Sequence, residues 1–228
     1  MRLLLLADLH GNMVALSAME TVIQQLKPDK ILFLGDAVGK GPQSRETLDW
    51  VRERCSTVIG GNWDFGVGHM KYPNDAYYWR QLGQERLAYL RSLPMEAEVT
   101  LSGLRLRLLH GRPITGLLRV QTEKELLEPL FHTPSGDFDG VIFADSHRPF
   151  FRTLDCGYIM NTGSVGNSMG VPRAHALMLE GGDNGVLLST ILSVPYDNRL
   201  AANLAQQDPD LPRGEAYIRE ILTGIYSR

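Results

Sequence analysis

Cysteine is nearly absent: 228 residues contain only Cys55 and Cys156. They lie far apart and outside any Cys-x-x-Cys pattern, which argues against a disulfide framework and against a thiolate-bound structural zinc. Two free thiols fit a reducing compartment, and each reads as a small buried hydrophobe. Long apolar runs are also missing; nothing approaches the roughly 20 residues that cross a bilayer. The N-terminal stretch has one Arg, a short apolar segment and no small-residue cleavage site, so it does not read as a signal peptide. The expectation is a cytoplasmic protein with no membrane partner. Excess charge is lacking too. The net charge is -3, without the basic footprint of a non-specific nucleic-acid binder. There is no internal repeat, low-complexity segment or long linker, so a single domain spanning residues 1–228 is expected. No heptad or long exposed apolar stripe indicates a homo-oligomer. The Gly35 to Gly41 stretch lacks the Gly-Lys-Ser/Thr ending of a P-loop, and no Gly-x-Gly-x-x-Gly follows the first apolar run. A metal-free Rossmann-type nucleotide binder is therefore a poor reading.

What remains is ordinary globular composition, 43% hydrophobic and 21% charged. Arg2 to Asn12, RLLLLADLHGN, sets the pattern: a short apolar run ends abruptly in Asp8-Leu9-His10. Leu3 to Leu6 suit a strand buried on both faces. In extended chain Asp8 and His10 would share one side of it. Met13 to Leu26 reads as a helix, with Leu16, Met19, Ile23 and Leu26 three or four apart and Pro28 beyond its end. Lys30 to Leu34 is a second buried strand, ending in Gly35-Asp36 and a Gly-rich loop. Alone, Asp36 reads equally as a turn residue or a helix cap. Ser44 to Arg54 is helical, and Thr57 to Ile59 is a third strand, ending in Gly60-Gly61-Asn62-Trp63-Asp64. Alternating βαβ units predict a largely parallel sheet whose strand ends converge on one edge, where α/β ligand sites form.

Further on, Phe65 to Asn74 reads as a loop and Glu85 to Leu93 as a helix. Val99 to Leu101 and Leu104 to Leu109 form a hairpin around Ser102-Gly103, ending in His110-Gly111. Thr122 and Glu125 suggest a capping box for a helix from Glu123 to Leu130. Val141 to Ala144 is a strand ending in Asp145-Ser146-His147, and Tyr158 to Met160 leads into Asn161-Thr162-Gly163-Ser164-Val165-Gly166. Strands at Ala174 to Leu179 and Val186 to Val194 and two short helices, after Asp197 and after Pro212, complete the chain. His132 and His175 have no motif partner and read as structural.

The strand-end polar groups are Asp8, His10, Asp36, Asn62, His110, Asp145 and His147. Carboxylate, amide oxygen and imidazole without thiolate suit Mn, Fe, Zn, Co or Ni. These donors are too many for one tetrahedral ion and fit two ions sharing a carboxylate, an arrangement suited to phosphoryl chemistry.

With these motifs in order, the sequence resembles the calcineurin-like metallophosphoesterases, in particular a small single-domain bacterial branch. The resemblance rests on Asp8-Leu9-His10, on Gly35-Asp36 through Gly41-Pro42, on His110-Gly111, and on Asn161 to Gly166 followed by Pro172-Arg173. It implies an α/β fold, a four-layer sandwich of two mixed β-sheets flanked by helices. It implies that Asp8, His10 and His147 hold one metal, that Asn62 and His110 hold a second, and that Asp36 bridges them. Asp36, Asn62 and Asp64 would carry catalysis. The implied activity is dinuclear-metal-dependent hydrolysis of phosphoesters, as a phosphodiesterase or phosphatase on small, nucleotide-like substrates. Mn2+ is the favoured cofactor, with Fe, Zn, Ni or Mg as alternatives.

Two positions depart from the family pattern. Its Gly-Asn-His-Asp reads Gly61-Asn62-Trp63-Asp64, which removes the His that protonates the leaving oxygen and leaves Asp64 without that partner. Its Gly-His-x-His reads Ala144-Asp145-Ser146-His147, which puts a carboxylate where an imidazole would bind the second metal. Asp145 is expected as an oxygen ligand. Trp63 keeps an alternative in play: a regulatory module that binds metal and phosphate ligands with little or no turnover.

Overall fold

The computed structural model describes residues 1–227. In chain order the elements are β1 (Arg2–Leu6), α1 (Met13–Leu26), β2 (Lys30–Phe33), α2 (Ser44–Arg54), β3 (Thr57–Val58), α3 (Asn62–Gly68), α4 (Ala76–Ser92), β4 (Glu96–Leu101), β5 (Leu104–Leu109), α5 (Lys124–Leu127), β6 (His132–Thr133), β7 (Gly136–Asp137), β8 (Gly140–Phe143), β9 (Phe150–Leu154), β10 (Gly157–Asn161), β11 (Ala174–Gly181), β12 (Leu187–Val194), α6 (Asn198–Gln206) and α7 (Gly214–Thr223). One sheet has the order β12-β11-β1-β2-β3 and the other β4-β5-β8-β10-β9. β1, β2 and β3 run parallel, as do β5, β8 and β10; the antiparallel pair β11 and β12 extends the first set beyond β1, and antiparallel β4 and β9 border the second. Both sheets are therefore mixed, as the family resemblance implies.

Strand periodicity explains the layers. Leu4 and Leu6 of β1 join the cluster beneath the helices, with Leu16, Met19 and Ile23 of α1, whereas Leu3 and Leu5 join the cluster between the sheets. β2 divides the same way, with Ile31 and Phe33 outward and Leu32 inward. In the second sheet Ile142 of β8 faces the first sheet, while Val141 and Phe143 pack outward with Leu127 and Phe131. Strands covered on both faces need apolar residues at every position, so their sequences run rather than alternate. The result is four layers: helices, sheet, sheet, helices.

α1 starts where the Asn12 side chain accepts the Ala15 N–H at 3.0 Å and stops at Lys27, which is left-handed (φ 49°) before Pro28. Several boundaries differ from the sequence expectation. The expected loop from Phe65 is helical as far as Gly68, because Asp64 at the third position of α3 accepts the Gly61 N–H and caps the helix. α4 begins at Ala76 rather than at Glu85 and is two helical pieces meeting at Gly83 (φ 71°). The break places Tyr78 and Leu82 on one buried stripe and Leu87 and Leu90 on another, so no single helical period spans them. The expected capping box at Thr122 does not form: Thr122 accepts from the Arg119 N–H, Glu123 is the cap residue, and Pro129 turns the chain into a 3-10 turn after Leu127. β4 starts at Glu96, and the edge strand β9 is an element that the pattern did not reveal.

Candidate metal centre

Five parallel strand ends deliver the site. Asp8 and His10 follow β1, Asp36 follows β2, Asn62 opens α3 after β3, His110 follows β5, and Asp145 and His147 follow β8. Asp8, His10, Asp36, His110, Asp145 and His147 are all buried. Strand alternation does not bring Asp8 and His10 together, because β1 ends at Leu6 and both residues are left-handed (φ 54° and 45°). Asp36, Asp145 and His147 share that conformation, at φ 59°, 60° and 58°. Such backbone costs non-glycine residues about 1–3 kcal/mol each and persists where surrounding structure over-determines it.

The three imidazoles are oriented alike. Nδ1 of His10 donates to the Val38 carbonyl at 3.1 Å, and Nδ1 of His110 to the Leu34 carbonyl at 2.6 Å. Nδ1 of His147 donates to the Asn167 carbonyl. A carbonyl can only accept, so each ring keeps a proton on Nδ1 and turns Nε2 inward, the arrangement of a metal-ligating histidine.

Two groups of potential ligands result: Asp8 with His10 and His147, and Asp8 with Asp36 and His110. Nε2 of His10 and Nε2 of His147 face each other at 3.3 Å. With both protons on Nδ1 these are two opposed lone pairs, which a shared cation would reconcile. Asp8 Oδ1 lies 3.7, 3.4 and 3.8 Å from Nε2 of His10, His147 and His110. Asp36 Oδ2 lies 3.7 Å from His10 Nε2 and 3.3 Å from His110 Nε2. Both carboxylates thus stand between the two groups. Both oxygens of Asp8, Oδ1 of Asn62 and Nε2 of His110 are buried without a hydrogen-bond partner among the described residues. Polar atoms left this way cost roughly 1–3 kcal/mol each, and here all are metal-donor atoms. The residues fit a pair of divalent ions.

Electrostatics agree. Burial, the Lys40 ammonium and His147 hold the His10 imidazole well below its ordinary range, so it is neutral and ready to ligate. Burial also opposes charge on His110, yet Asp36, Asp8 and Asp145 outweigh it and raise this imidazole well above the usual value. The excess negative charge that draws a proton to His110 would equally attract a divalent cation, and ligation requires that proton to leave.

Asn62, Trp63 and Asp64 have separate tasks. The Trp63 backbone N–H donates to Asp36 Oδ1 at 2.8 Å, leaving Oδ2 for the cluster. The indole meets the His10 ring edge-on, with centroids 5.8 Å apart, and lies over Gly39. Only glycine fits there: φ is +87° and a Cβ would lie 2.1 Å from Trp63 Cε3. Asp64, which lacks the family's histidine partner, accepts instead from backbone: the Asp36 N–H at 2.6 Å, the Ala37 N–H at 3.0 Å and the Gly61 N–H at 3.0 Å. It ties the ends of β2 and β3 together. Burial and the Asp36 charge push its carboxyl up to about 7.

Asp145 stands apart from both ligand groups. Its Oδ1 is 3.9 Å from His110 Nε2, and Arg112 grips both of its oxygens. The sequence pattern does not single out Arg112, although a buried carboxylate in place of an imidazole needs a cation nearby. Lys40, left-handed in the Gly-rich loop, donates to Asn167 Oδ1 at 2.6 Å and lies 3.5 Å from Glu220 Oε2 of α7. Sequence reasoning also missed Asn167 and Ser164, whose hydroxyl donates to the Asp8 carbonyl at 2.8 Å.

Comparison with known proteins agrees with this geometry. Residues 1–184 match the calcineurin-like phosphoesterase family model, and the chain belongs to that family. An uncharacterized protein of Methanocaldococcus jannaschii is 28% identical over 226 residues, covering 86% of this chain and 88% of its own. A metallophosphoesterase from Sphaerobacter thermophilus superposes with a TM-score of 0.79 at 26% identity, covering 99% of this chain and 100% of its own. Vps29 from Chaetomium thermophilum shares the fold alone, with a TM-score of 0.52 at 19% identity over 86% of this chain and 96% of its own. The similar proteins come from an archaeon and a bacterium, and the fold recurs in a eukaryote, so the narrowing to a bacterial branch is not carried. Fold, family and the two ligand groups together support metal-dependent phosphoesterase activity in general.

Proposed function

We propose that this protein hydrolyses small, nucleotide-like phosphate mono- or diesters with two divalent ions. The supporting observation is the pair of ligand groups joined through Asp8, whose inward donor atoms lack partners within the chain. Asp8, His10 and His147 would hold one ion; Asn62 and His110 would hold the other, with Asp36 between them. Mixed oxygen and imidazole donors favour Mn2+, and Fe, Zn, Ni or Mg also suit such a set. When bound, the ions supply positive charge to the transferring phosphoryl group and lower the pKa of an attacking water.

The chain's own residues do the rest. Backbone carbonyls keep the imidazoles aimed inward, and Asp64 fixes the Asp36 loop. Trp63 stands where the family places a proton donor, and an indole N–H does not transfer its proton usefully. The leaving oxygen would depart without help from that position, so turnover should favour good leaving groups. Trp63 is also the observation behind the second reading, a binding module with little turnover. The free thiols of Cys55 and Cys156 support a cytoplasmic location; among the described residues no helix is long and apolar enough to cross a membrane.

The test is hydrolysis of bis(4-nitrophenyl) phosphate by Mn2+-loaded protein beside its Asp36→Asn variant. Metal-dependent turnover that Asp36→Asn abolishes is expected. Bound metal without turnover of any ester would leave only the binding module.

A further inference from the structure

We propose that the Arg112–Asp145 ion pair makes the two metal positions unequal, the one built on Asp8, His10 and His147 filling at lower metal concentration than the one built on Asp8, Asp36 and His110. This rests on the two-metal reading above and concerns how that site loads.

Asp145 is the carboxylate that the sequence places beside the second position, and the structure gives it to Arg112. Nη2 donates to Oδ1 at 2.7 Å, Nε lies 2.9 Å from Oδ2 and 3.1 Å from Oδ1, and the Arg112 backbone N–H reaches Oδ2 at 3.2 Å. Gly111 permits the turn: its φ is +134°, and a Cβ there would lie 2.9 Å from Asp145 Cβ. A guanidinium does not lose its proton in proteins, so this grip cannot be relaxed by pH. The Asp145 side chain is 2% exposed and that of Arg112 38%, so the carboxylate end of the pair is buried while the guanidinium reaches the surface.

The consequence is local to one position. The second group keeps Asp36, His110 and the shared Asp8, to which the family resemblance adds the unpartnered oxygen of Asn62, but a fixed positive charge sits on the carboxylate next to His110. The first group has two imidazoles, the shared Asp8 and Asp36 Oδ2 at 3.7 Å from His10. The Lys40 ammonium also acts on that group through His10, but it is paired with Glu220 at 3.5 Å and grips none of the group's donor atoms. Arg112 therefore acts as a positioning residue that takes Asp145 away from the second ion.

Titrating Mn2+ into the metal-free full chain by calorimetry at fixed pH tests this. Two steps are expected, the weaker by about tenfold or more. His110→Ala should remove the weak step and keep the tight one, which identifies them. Arg112→Met should tighten the weak step by about 10–100-fold by releasing Asp145 and leave the tight step alone. Arg112→Lys keeps the charge and should leave the weak step weak. Two equal steps in the native chain, or an Arg112→Met variant whose weak step is unchanged or weaker, overturn the inference while leaving the two-metal reading intact. No metal binding at all would overturn both.

Discussion

Asp8, His10, Asp36, Asp145 and His147 are left-handed non-glycine residues, and all but Asp145 belong to the two ligand groups. Their types and order were legible in the sequence because chemistry is written in residue identity. Their backbone was not, because propensity assigns left-handed positions to Gly and Asn. Arg112's role was hidden for a related reason: it depends on the ends of β5 and β8 lying side by side. Trp63 was legible as a missing acid, and the structure adds that its backbone N–H holds Asp36 and its ring covers Gly39. Trp63→His should raise kcat on esters with poor leaving groups by at least about tenfold, within the range of general acid catalysis, while barely changing rates on aryl esters. Equal effects on both classes would mean that position 63 does not face the leaving oxygen. Asp64→Asn puts an amide N–H against one of three backbone donors and should cost about 2–3 kcal/mol, read as a lower urea midpoint. An unchanged midpoint would show that Asp64 does not hold the two strand ends together.

At the scale of elements, β1, β2, β3, β5 and β8 were readable because each is a short apolar run ending in polar residues. α4 was half-read, since the break at Gly83 divides its buried face into two stripes. β9 was missed, an edge strand whose residues alternate without an apolar run. β11 carries a group outside the metal centre that titrates. His175 is buried, with Ser168 Oγ at 2.9 Å from Nδ1 and Ser193 Oγ at 3.2 Å from Nε2. Burial and the nearby Arg173 charge lower its pKa from 6.5 to about 4. The folded state therefore binds fewer protons than the unfolded chain between those values. This contribution to stability is full above pH 6.5 and is lost as the pH falls toward about 4. The loss should be on the order of 3 kcal/mol. Comparing urea midpoints of the native chain and His175→Gln across that window should show a flatter slope in the variant. Parallel slopes would place the acid sensitivity elsewhere.

For the whole molecule, the sandwich was implied by family likeness more than by pattern, because periodicity shows that a strand is covered on both faces without saying what covers it. The structure shows the second sheet as the cover, through Leu3 and Leu5 against Leu106, Leu108 and Ile142. The ligands straddle that junction: Asp8, His10 and Asp36 come from the first sheet and His110 and His147 from the second. Bound metal should then fasten sheet to sheet. At a hundredfold excess over Kd, one ion adds about 2.7 kcal/mol, raising Tm by roughly 5–11 °C; chelation should reverse the shift in calorimetry. The most direct test of the central claim is anomalous diffraction from crystals soaked in saturating Mn2+. Two peaks are expected, one bounded by Asp8, His10 and His147 and the other by Asp8, Asp36 and His110. No peak in the cluster, or a single peak at saturation, would contradict it.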